Sequence, residues 1–299
     1  MIYIKNEIQD NYNLKIDKIY KNENESYFFV NDKKIYIKSV GESNEKEIDE
    51  LIKLTNDLYS KNKPTETFLI NRQGKHTIKH KNRKMALLMA NKAENTVLNY
   101  NDIIAGTIEI KDHTIKNYDI YNEWKKIIDN FEENIVKYNK EFQLIMKYAN
   151  YYIGLAENAI QLLGETKATK EKEKYLGRLI KENKYNYKNY VDPFAYIKTL
   201  KLYDVANYFK YKLYIDEIDY EELESAKKNL EDEDDKKIFL SIVVFPTEAF
   251  ERMNKILEEK MDEKAIVENV KRIKKTEQFI SYIQNRVINK KYIKWLVED

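Results

Sequence analysis

Three ionisable side chains have types and positions that could together bind a charged ligand. Lys38 ends the alternating segment Ile35-Tyr36-Ile37, which is typical of a half-buried strand. Glu47 falls in the amphipathic segment that follows, and Asp192 precedes Pro193 in a segment typical of a turn. Lysine and carboxylate side chains of this kind hold phosphate groups and divalent cations in proteins. The chemistry that they suggest is the binding of a phosphate compound, with or without its metal ion.

Each of the three residues also has a purely structural interpretation. A lysine on a half-buried strand is commonly just exposed, and the chain contains 53 lysine and arginine residues. Glu47 and Glu50 could both pair with Lys38, but a total of 51 acids makes such a pairing unspecific. Asp192 could simply open a turn, and a single carboxylate is a poor Mg²⁺ site because the ion needs several oxygen ligands. The sequence leaves both interpretations open.

The elements that would position Lys38 are predominantly strands. Asn31-Asp32-Lys33 is a polar turn between two apolar segments and predicts a hairpin. Asn44, with Glu47 three residues later, resembles a capping box and predicts the start of a helix. A second hairpin is predicted around Gly74. The predicted order is strands at 26–30 and 34–40, a helix from about 44, strands at 67–70 and 75–78, and a buried strand at 84–90.

Beyond about residue 115 the apolar residues recur at helical spacing, which predicts helices that bury one face. Small residues such as Gly154 and Ala156, in the helix that should end at Gly164, predict close packing against another element. Pro246 should kink or interrupt its helix. The expected helical segments are 124–138, 142–163, 202–214, 220–230, 236–260 and 263–287, with a final turn at 292–297.

The composition narrows the classes of protein that remain. Hydrophobic residues make up 42% and aromatic residues 13% of the 299, as expected for a packed globular protein. The net charge of +2 gives no electrostatic reason to expect a nucleic-acid partner. The absence of cysteine excludes disulfides, thiolate metal sites and a cysteine nucleophile. No segment is apolar enough for a membrane span, and Glu7 argues against a signal peptide, so we expect a cytoplasmic protein.

Three segments of the helical part are similar to a known family. Residues 151–161 (YYIGLAENAIQ) resemble a helix of the CotS/YutH-type spore-coat proteins, and residues 203–210 (YDVANYFK) resemble that family's RDLAEYIR helix. Residues 239–250 (FLSIVVFPTEAF) are similar to its RLLFPxxYF segment. The three segments keep the family's order and spacing, whereas the strand-rich first part of the chain matches it only in pattern.

The resemblance implies an α+β, two-lobe protein-kinase-like fold of the kind found in aminoglycoside phosphotransferases. Its small β-rich N-terminal lobe would comprise residues 1–91, and its large, almost entirely helical C-terminal lobe would comprise residues 92–299. Within this fold Lys38 resembles the strand lysine that holds the phosphates, Glu47 the helix acid that orients it and Asp192 the acid that holds Mg²⁺.

The same comparison indicates which parts of a working site are missing. No glycine occurs between Ile16 and Val40, where a kinase covers the phosphates with a Gly-rich turn, and the connecting segment carries two acids that would repel a triphosphate. Residues 175–187, where the catalytic loop is expected, contain Glu182 as their single acid, so a general base has no obvious supplier. Asp204 resembles the family's aspartate that braces this loop from below, but Tyr203 replaces the family's arginine, so the resemblance implies an altered bracing network.

The resemblance and these departures together predict a catalytically degenerate kinase-like protein, a pseudokinase, that acts by binding in the assembly of the endospore coat. We expect no catalytic residue, no metal and no resident cofactor, with Lys38, Glu47 and Asp192 as a vestigial nucleotide site. Its partners would be other spore-coat proteins, and its location first the mother-cell cytoplasm and then the coat. The alternative is an active ATP-dependent phosphotransferase, for small molecules or proteins, that uses Lys38, Asp192 and Glu182 with Mg²⁺. A third possibility, an α+β adaptor unrelated to kinases, would lack the small lobe of strands.

Overall fold

The computed structural model of the protein describes residues 2–22, 25–41, 45–90, 96–110, 112–138, 141–167, 174–180 and 185–296. The chain folds into two compact units. The first comprises Met1–Gly106, Asp112–Lys116 and Asn186–Tyr196, and the second comprises Thr107–Lys111, Asn117–Tyr185 and Ile197–Asp299. The first unit therefore extends beyond residue 91, and it includes the late segment that carries Asp192.

Six strands and three helices make up the described first part of the chain, and helices dominate the second part, as predicted. The early elements are α1 (Ile2–Tyr12), β1 (Tyr20–Lys21), β2 (Ser26–Val30), β3 (Lys33–Ser39), α2 (Glu45–Ser60), β4 (Thr67–Phe68), β5 (Thr77–His80), β6 (Arg83–Met89) and α3 (Tyr100–Gly106). The middle elements are α4 (Ile120–Tyr138), α5 (Gln143–Gly164), β7 (Tyr175–Arg178), α6 (Tyr187–Val191), a 3₁₀ turn (Pro193–Ala195), β8 (Tyr196–Thr199) and α7 (Tyr203–Tyr214). The last elements are α8 (Tyr220–Ser225), α9 (Glu233–Val244), α10 (Thr247–Glu259), α11 (Val267–Lys271), α12 (Ile273–Tyr282) and a π-helical segment (Ile283–Ile288), with 3₁₀ turns at Ala226–Asn229 and Glu263–Ile266.

The strands β1 to β6 form one antiparallel sheet in the order β1-β2-β3-β6-β4, with β5 also paired to β6. The hairpin predicted around residues 31–33 is confirmed, since β2 pairs with β3. Its turn residues Asn31 and Asp32 have backbone φ of 49° and 61°. Asparagine and aspartate tolerate this left-handed region better than other residues with a side chain, and two such residues in succession suit a tight hairpin.

The second predicted hairpin is wrong. In the described sheet β4 and β5 both pair with β6 and not with each other. β5 and β6 form a hairpin through Lys81-Asn82, whose backbone φ values of 45° and 63° again lie in the left-handed region. Gly74 does turn the chain, with φ of 75°. The strand before this turn pairs elsewhere, because the backbone N–H of Leu69 donates to the carbonyl oxygen of Leu87. The turn predicted at Gly74 is therefore present, but the strands on either side of it do not pair with each other.

The two faces of the sheet bury different clusters because side chains alternate along each strand. On one face Phe28, Ile35 and Leu87 pack with Ile8 and Tyr12 of α1, a helix that the sequence did not predict. The other face buries Tyr36, Ala86 and Leu88 with apolar residues of α2. Tyr36 and Ile35 thus lie on opposite faces, and Lys38 shares the face of Tyr36, as the alternation predicts.

Pro246 interrupts the helix that was expected over residues 236–260 and separates α9 from α10. Phe245, just before the proline, is fully buried and stacks on Trp124 of α4, with ring centroids 4.2 Å apart and planes 3° from parallel. Lys210 of α7 reaches the same place and is 9% exposed. Its Nζ donates to the carbonyl oxygen of Phe245 at 2.6 Å and to Thr247 Oγ1 at 3.3 Å. The same carbonyl also accepts from the N–H of Thr247 at 3.0 Å, so Lys210 reinforces the chain reversal between α9 and α10.

Replacing Lys210 with methionine should therefore lower the free energy of unfolding by about 1.5–3 kcal/mol, the usual range for a hydrogen bond from a charged donor. Methionine keeps most of the buried stem and removes the ammonium group. Urea denaturation followed by circular dichroism measures the change, and Lys228→Met on an exposed turn is the matched control. Equal stabilities of the two variants would show that the bond to Phe245 contributes nothing.

Candidate functional site

The segment 186–196 is anchored to the sheet of the first unit by main-chain and side-chain hydrogen bonds. The N–H of Glu66 donates to the carbonyl oxygen of Val191 at 3.0 Å, and Tyr196 Oη donates to Thr65 Oγ1 at 2.9 Å. Asp192 ends α6 and opens the following 3₁₀ turn, where its Oδ1 accepts a hydrogen bond from the N–H of Phe194 at 3.0 Å. Asp192 is thus the turn-opening residue of the structural interpretation, with its second oxygen still available.

That second oxygen contacts Lys38, which is 154 residues away in the sequence. Lys38 Nζ lies 2.9 Å from Asp192 Oδ2 and 3.5 Å from Glu25 Oε1. The two side chains of the closer pair are 20% and 21% exposed. Burial lowers the pKa of Lys38, but the charge and hydrogen bond of Asp192 and the charge of Glu25 outweigh burial, so the pKa is raised above its ordinary value. Lys38 is therefore a protonated cation between two carboxylates.

Glu47, the predicted partner of Lys38, is elsewhere. It lies on the exposed side of the first turn of α2, and the carboxylates that contact Lys38 in the described part of the chain are those of Asp192 and Glu25. Glu50 on the same helix accepts hydrogen bonds from Lys53 Nζ at 2.7 Å and from the N–H of Thr114 at 3.2 Å. The structure brings together Lys38 and Asp192 of the three predicted site residues.

Two carboxyls and a second lysine at this site were missed by sequence reasoning. Glu25 precedes β2, and its Oε2 contacts Lys188 Nζ of α6 while its Oε1 faces Lys38. Glu66 precedes β4 and is 1% exposed. The sequence indicated that acids between β1 and β2 would repel phosphate. It did not indicate that Glu25 would pair with lysines. Glu66 and Lys188 had no signal beyond their residue types.

Glu66 is a buried carboxyl group in a crowded electrostatic environment. Burial raises its pKa to about 8, the charge of Asp192 raises it further, and the charge of Lys38 opposes both. Its Oε2 makes no hydrogen bond to any described part of the chain. Glu66 is therefore a neutral acid at pH 7. The charged members of the site are then two lysines, Lys38 and Lys188, and two carboxylates, Glu25 and Asp192, which balance.

Aromatic rings and another lysine fill the sheet face beside Lys38. Tyr36 stands two residues before Lys38 and is 3% exposed. Lys34 is 6% exposed, and its Nζ lies 3.8 Å from the ring centroid of Tyr27 and 5.0 Å from that of Tyr36. The kinase strand motif Val-Ala-Ile-Lys has a small alanine two residues before its lysine. Here the equivalent position carries a tyrosine, packed between cations.

The second unit contains a buried charge network around the predicted brace Asp204. Asp204 Oδ1 accepts hydrogen bonds from the backbone N–H of Arg178 at 2.9 Å and from Tyr185 Oη at 2.8 Å, and Oδ2 accepts from Arg178 Nη1 at 2.8 Å. Burial raises the pKa of Asp204, and the Arg178 guanidinium opposes that rise. β7 can approach β8 closely because Gly177 has no side chain. A Cβ at this position would lie 2.3 Å from Thr199 Cγ2 and would clash with it. Asp204 thus braces the segment in which the catalytic loop was expected, through Arg178 and Tyr185.

The described residues of this braced segment supply no carboxylate. They are 175–180 and 185–187, and they contain tyrosine, leucine, glycine, arginine, isoleucine and asparagine. Glu182, the acid named for the alternative of an active enzyme, lies outside the described residues. Within the described chain no group of three or more histidine, cysteine or acidic side chains is placed to hold a metal ion.

Solved structures with the same fold are phosphotransferases. An aminoglycoside phosphotransferase from Alicyclobacillus acidocaldarius superposes with a TM-score of 0.66 at 10% identity, over 93% of this chain and 94% of that chain. A spectinomycin phosphotransferase solved with ADP and spectinomycin gives 0.55 at 13% identity, over 92% and 93%. An amicoumacin kinase solved with AMP-PNP, Ca²⁺ and its antibiotic gives 0.53 at 9% identity, over 97% and 96%. These likenesses define the fold as that of the kinase-like phosphotransferases and confirm the predicted fold class.

The sequence itself gives the family. Residues 5–285 match the family described as "Spore coat putative kinase YutH", and the chain belongs to that family. A comparison with curated proteins finds no match. In the described residues, every helix is either too short or too polar to cross a bilayer.

A nucleotide with its Mg²⁺ is the ligand that this fold suggests, and the residues present do not fit it. Both oxygens of Asp192 are engaged, one by the N–H of Phe194 and one by Lys38. Lys38 already contacts two carboxylates, and the segment before β2 places Glu25 on it instead of backbone N–H groups. Mg²⁺ prefers several hard oxygen ligands in octahedral geometry, and each oxygen of the single acid Asp192 already accepts a hydrogen bond.

Proposed function

We propose that this protein is a pseudokinase of the spore-coat family, a kinase-like protein that acts by binding and not by phosphoryl transfer. The observation that carries the proposal is the ion pair of Lys38. The lysine that should hold phosphates is 2.9 Å from Asp192 and 3.5 Å from Glu25, so its charge is neutralised by the chain's own carboxylates. A phosphate ligand would have to displace both.

The second unit supports the same conclusion. Phosphoryl transfer requires a residue that accepts or orients the attacking hydroxyl within hydrogen-bond distance. The described residues of the braced segment offer Arg178, whose guanidinium is fully buried and bound to Asp204. The brace persists as a structural support, because a buried ion pair is costly to break whether or not catalysis depends on it.

Binding would then occur through surfaces, in the assembly of the endospore coat. The family gives the context, and we propose other coat proteins as partners, met first in the mother-cell cytoplasm and then in the coat. Large apolar side chains remain exposed in both units, including Tyr20, Phe29 and Trp295 at 39%, 44% and 43%. Aromatic side chains of this kind provide contact area at protein interfaces.

An active ATP-dependent phosphotransferase is the second candidate. The observation in its favour is the direct pair of Lys38 with Asp192, since a strand lysine and a metal-binding acid are the two groups that such enzymes bring to the phosphates. It requires that Asp192 leave Lys38 when nucleotide and Mg²⁺ arrive, and that Glu182 act as the base.

Titration with millimolar Mg²⁺-ATP separates the two candidates. A ligand at 100 times its Kd would stabilise the fold by about 2.7 kcal/mol and so raise its thermal unfolding temperature. Because we propose that the protein does not use Mg²⁺-ATP, we expect no such rise in the wild type and no transfer of label from radiolabelled ATP. A rise that disappears in Asp192→Ala but persists in the exposed control Asp129→Ala would overturn the pseudokinase assignment.

A further inference from the structure

The geometry points to Glu25 as an internal ligand: its carboxylate occupies an anion site formed by Lys38 and Lys188, and it keeps polyphosphate out of that site. This inference rests on the proposed function, because it names the element that holds the site in its non-binding state. The site would accept an inorganic polyphosphate or the phosphates of a nucleotide once the charge of Glu25 is removed.

The first argument is the placement of the two lysines on one carboxylate. Lys38 of β3 lies 3.5 Å from Glu25 Oε1, and Lys188 of α6 contacts Glu25 Oε2. Each oxygen therefore has its own ammonium group, supplied by segments that are far apart in the sequence. Two cations on the two oxygens of one anion is an arrangement that would serve a phosphate group equally well.

The second argument is that the carboxylate is held in place. The loop before β2 is closed by backbone hydrogen bonds in both directions, from Asn22 N–H to Glu25 O at 2.9 Å and from Glu25 N–H to Asn22 O at 3.4 Å. Directly after it, Ser26 pairs with Lys21 in the sheet. The Glu25 side chain is 13% exposed, against 20% for Lys38 and 36% for Lys188. A partly desolvated, fixed carboxylate competes with a free anion at high effective concentration.

The third argument is the charge that remains without it. In the described part of the chain Glu25 is the carboxylate in contact with Lys188, whose Nζ also lies 5.6 Å from the ring centroid of Tyr36. With glutamine at position 25, the two lysines would face the single charge of Asp192. Glu66 is a nearby group that could restore the balance by ionising, since Lys38 and Lys188 both favour its charged form.

The test uses the full-length chain and inorganic pyrophosphate without metal, measured by isothermal titration calorimetry at low salt. The variants are Glu25→Gln, which keeps the shape and removes the charge, and the double variant Glu25→Gln/Glu66→Gln, which also removes the compensating acid. We expect the double variant to bind pyrophosphate at least about tenfold more tightly than the wild type, and the gain to disappear when Lys188→Met is added. Glu45→Gln, 91% exposed on α2, is the control and should behave as the wild type.

The inference fails if the double variant, folded by its thermal transition, binds pyrophosphate no more tightly than the wild type. It also fails if Lys188→Met leaves the gain intact. Both outcomes leave the pseudokinase assignment in place, because neither measures phosphoryl transfer by the wild type. Phosphoryl transfer by the wild type in the Mg²⁺-ATP assay would overturn the assignment itself, so the two failures are distinguishable.

Discussion

Replacing Asp204 with alanine should destabilise the protein by about 3–5 kcal/mol, because the change leaves a buried guanidinium without its carboxylate. Arg178 is fully buried and Asp204 is 2% exposed. Three hydrogen bonds would be lost at once, from the N–H and Nη1 of Arg178 and from Tyr185 Oη. The effect should exceed that of removing an exposed charge, because surface ion pairs are worth roughly 1 kcal/mol or less.

Urea denaturation of Asp204→Ala would measure this loss, with Asp216→Ala as the matched control. Asp216 also pairs with a lysine, but its side chain is 56% exposed. The double variant Arg178→Met/Asp204→Leu should recover part of the loss, because it removes the unpaired guanidinium but leaves the N–H of residue 178 and Tyr185 Oη without their acceptor. A loss in Asp204→Ala no larger than that in Asp216→Ala would contradict the role of Asp204 as a brace.

Replacing Glu66 with glutamine should stabilise the protein increasingly as the pH rises from 5 to 8. The folded-state pKa of about 8 lies above the ordinary value of 4.5. Below pH 4.5 the carboxyl is protonated in both the folded and the unfolded chain, so its contribution is fully present. As the pH rises toward 8 the unfolded chain ionises first and the folded state loses stability, by about 1.4 kcal/mol for each pH unit. Glutamine has no proton to lose and lacks this slope.

The measurement is the free energy of unfolding of wild type and Glu66→Gln at several pH values between 5 and 8. The difference between the two curves should widen steadily and level off above pH 8. Glu45→Gln, on an exposed part of α2, should run parallel to the wild type. Parallel curves for Glu66→Gln as well would mean that Glu66 is ionised in the folded protein at neutral pH.

Local patterns were sufficient to predict the elements that carry Lys38. The Asn31-Asp32 turn and the alternation on either side of it specify β2 and β3, because tight turns and half-buried strands have strong local signals. The turn at Gly74 was predicted for the same reason. The choice of strand partner, however, depends on contacts across the sheet, and both β4 and β5 pair with β6. α1 was missed because its apolar residues give only a weak helical stripe, and its burial depends on the sheet that covers Ile8.

The candidate site was predictable only in part, for a related reason. Lys38 and Asp192 could be named because each follows a recognisable local pattern and the family resemblance gave them roles. Glu47 was predicted as the partner of Lys38 because it falls on the helix that follows, but it lies on the exposed side of that helix. Glu25 and Glu66 are two of 51 acids, and nothing local separates them from the others. Their significance comes from burial and from lysines that lie far away in the sequence.

The stacking of Trp124 on Phe245 has an optical consequence. The chain has two tryptophans, both in the second unit. Trp124 is 4% exposed and Trp295 is 43% exposed. Indole emission therefore combines a shielded, short-wavelength contribution with one that dissolved quenchers can reach, and it originates wholly outside the unit that holds Lys38. Tryptophan fluorescence will therefore follow the melting of the second unit, whereas circular dichroism reports the helices of both units.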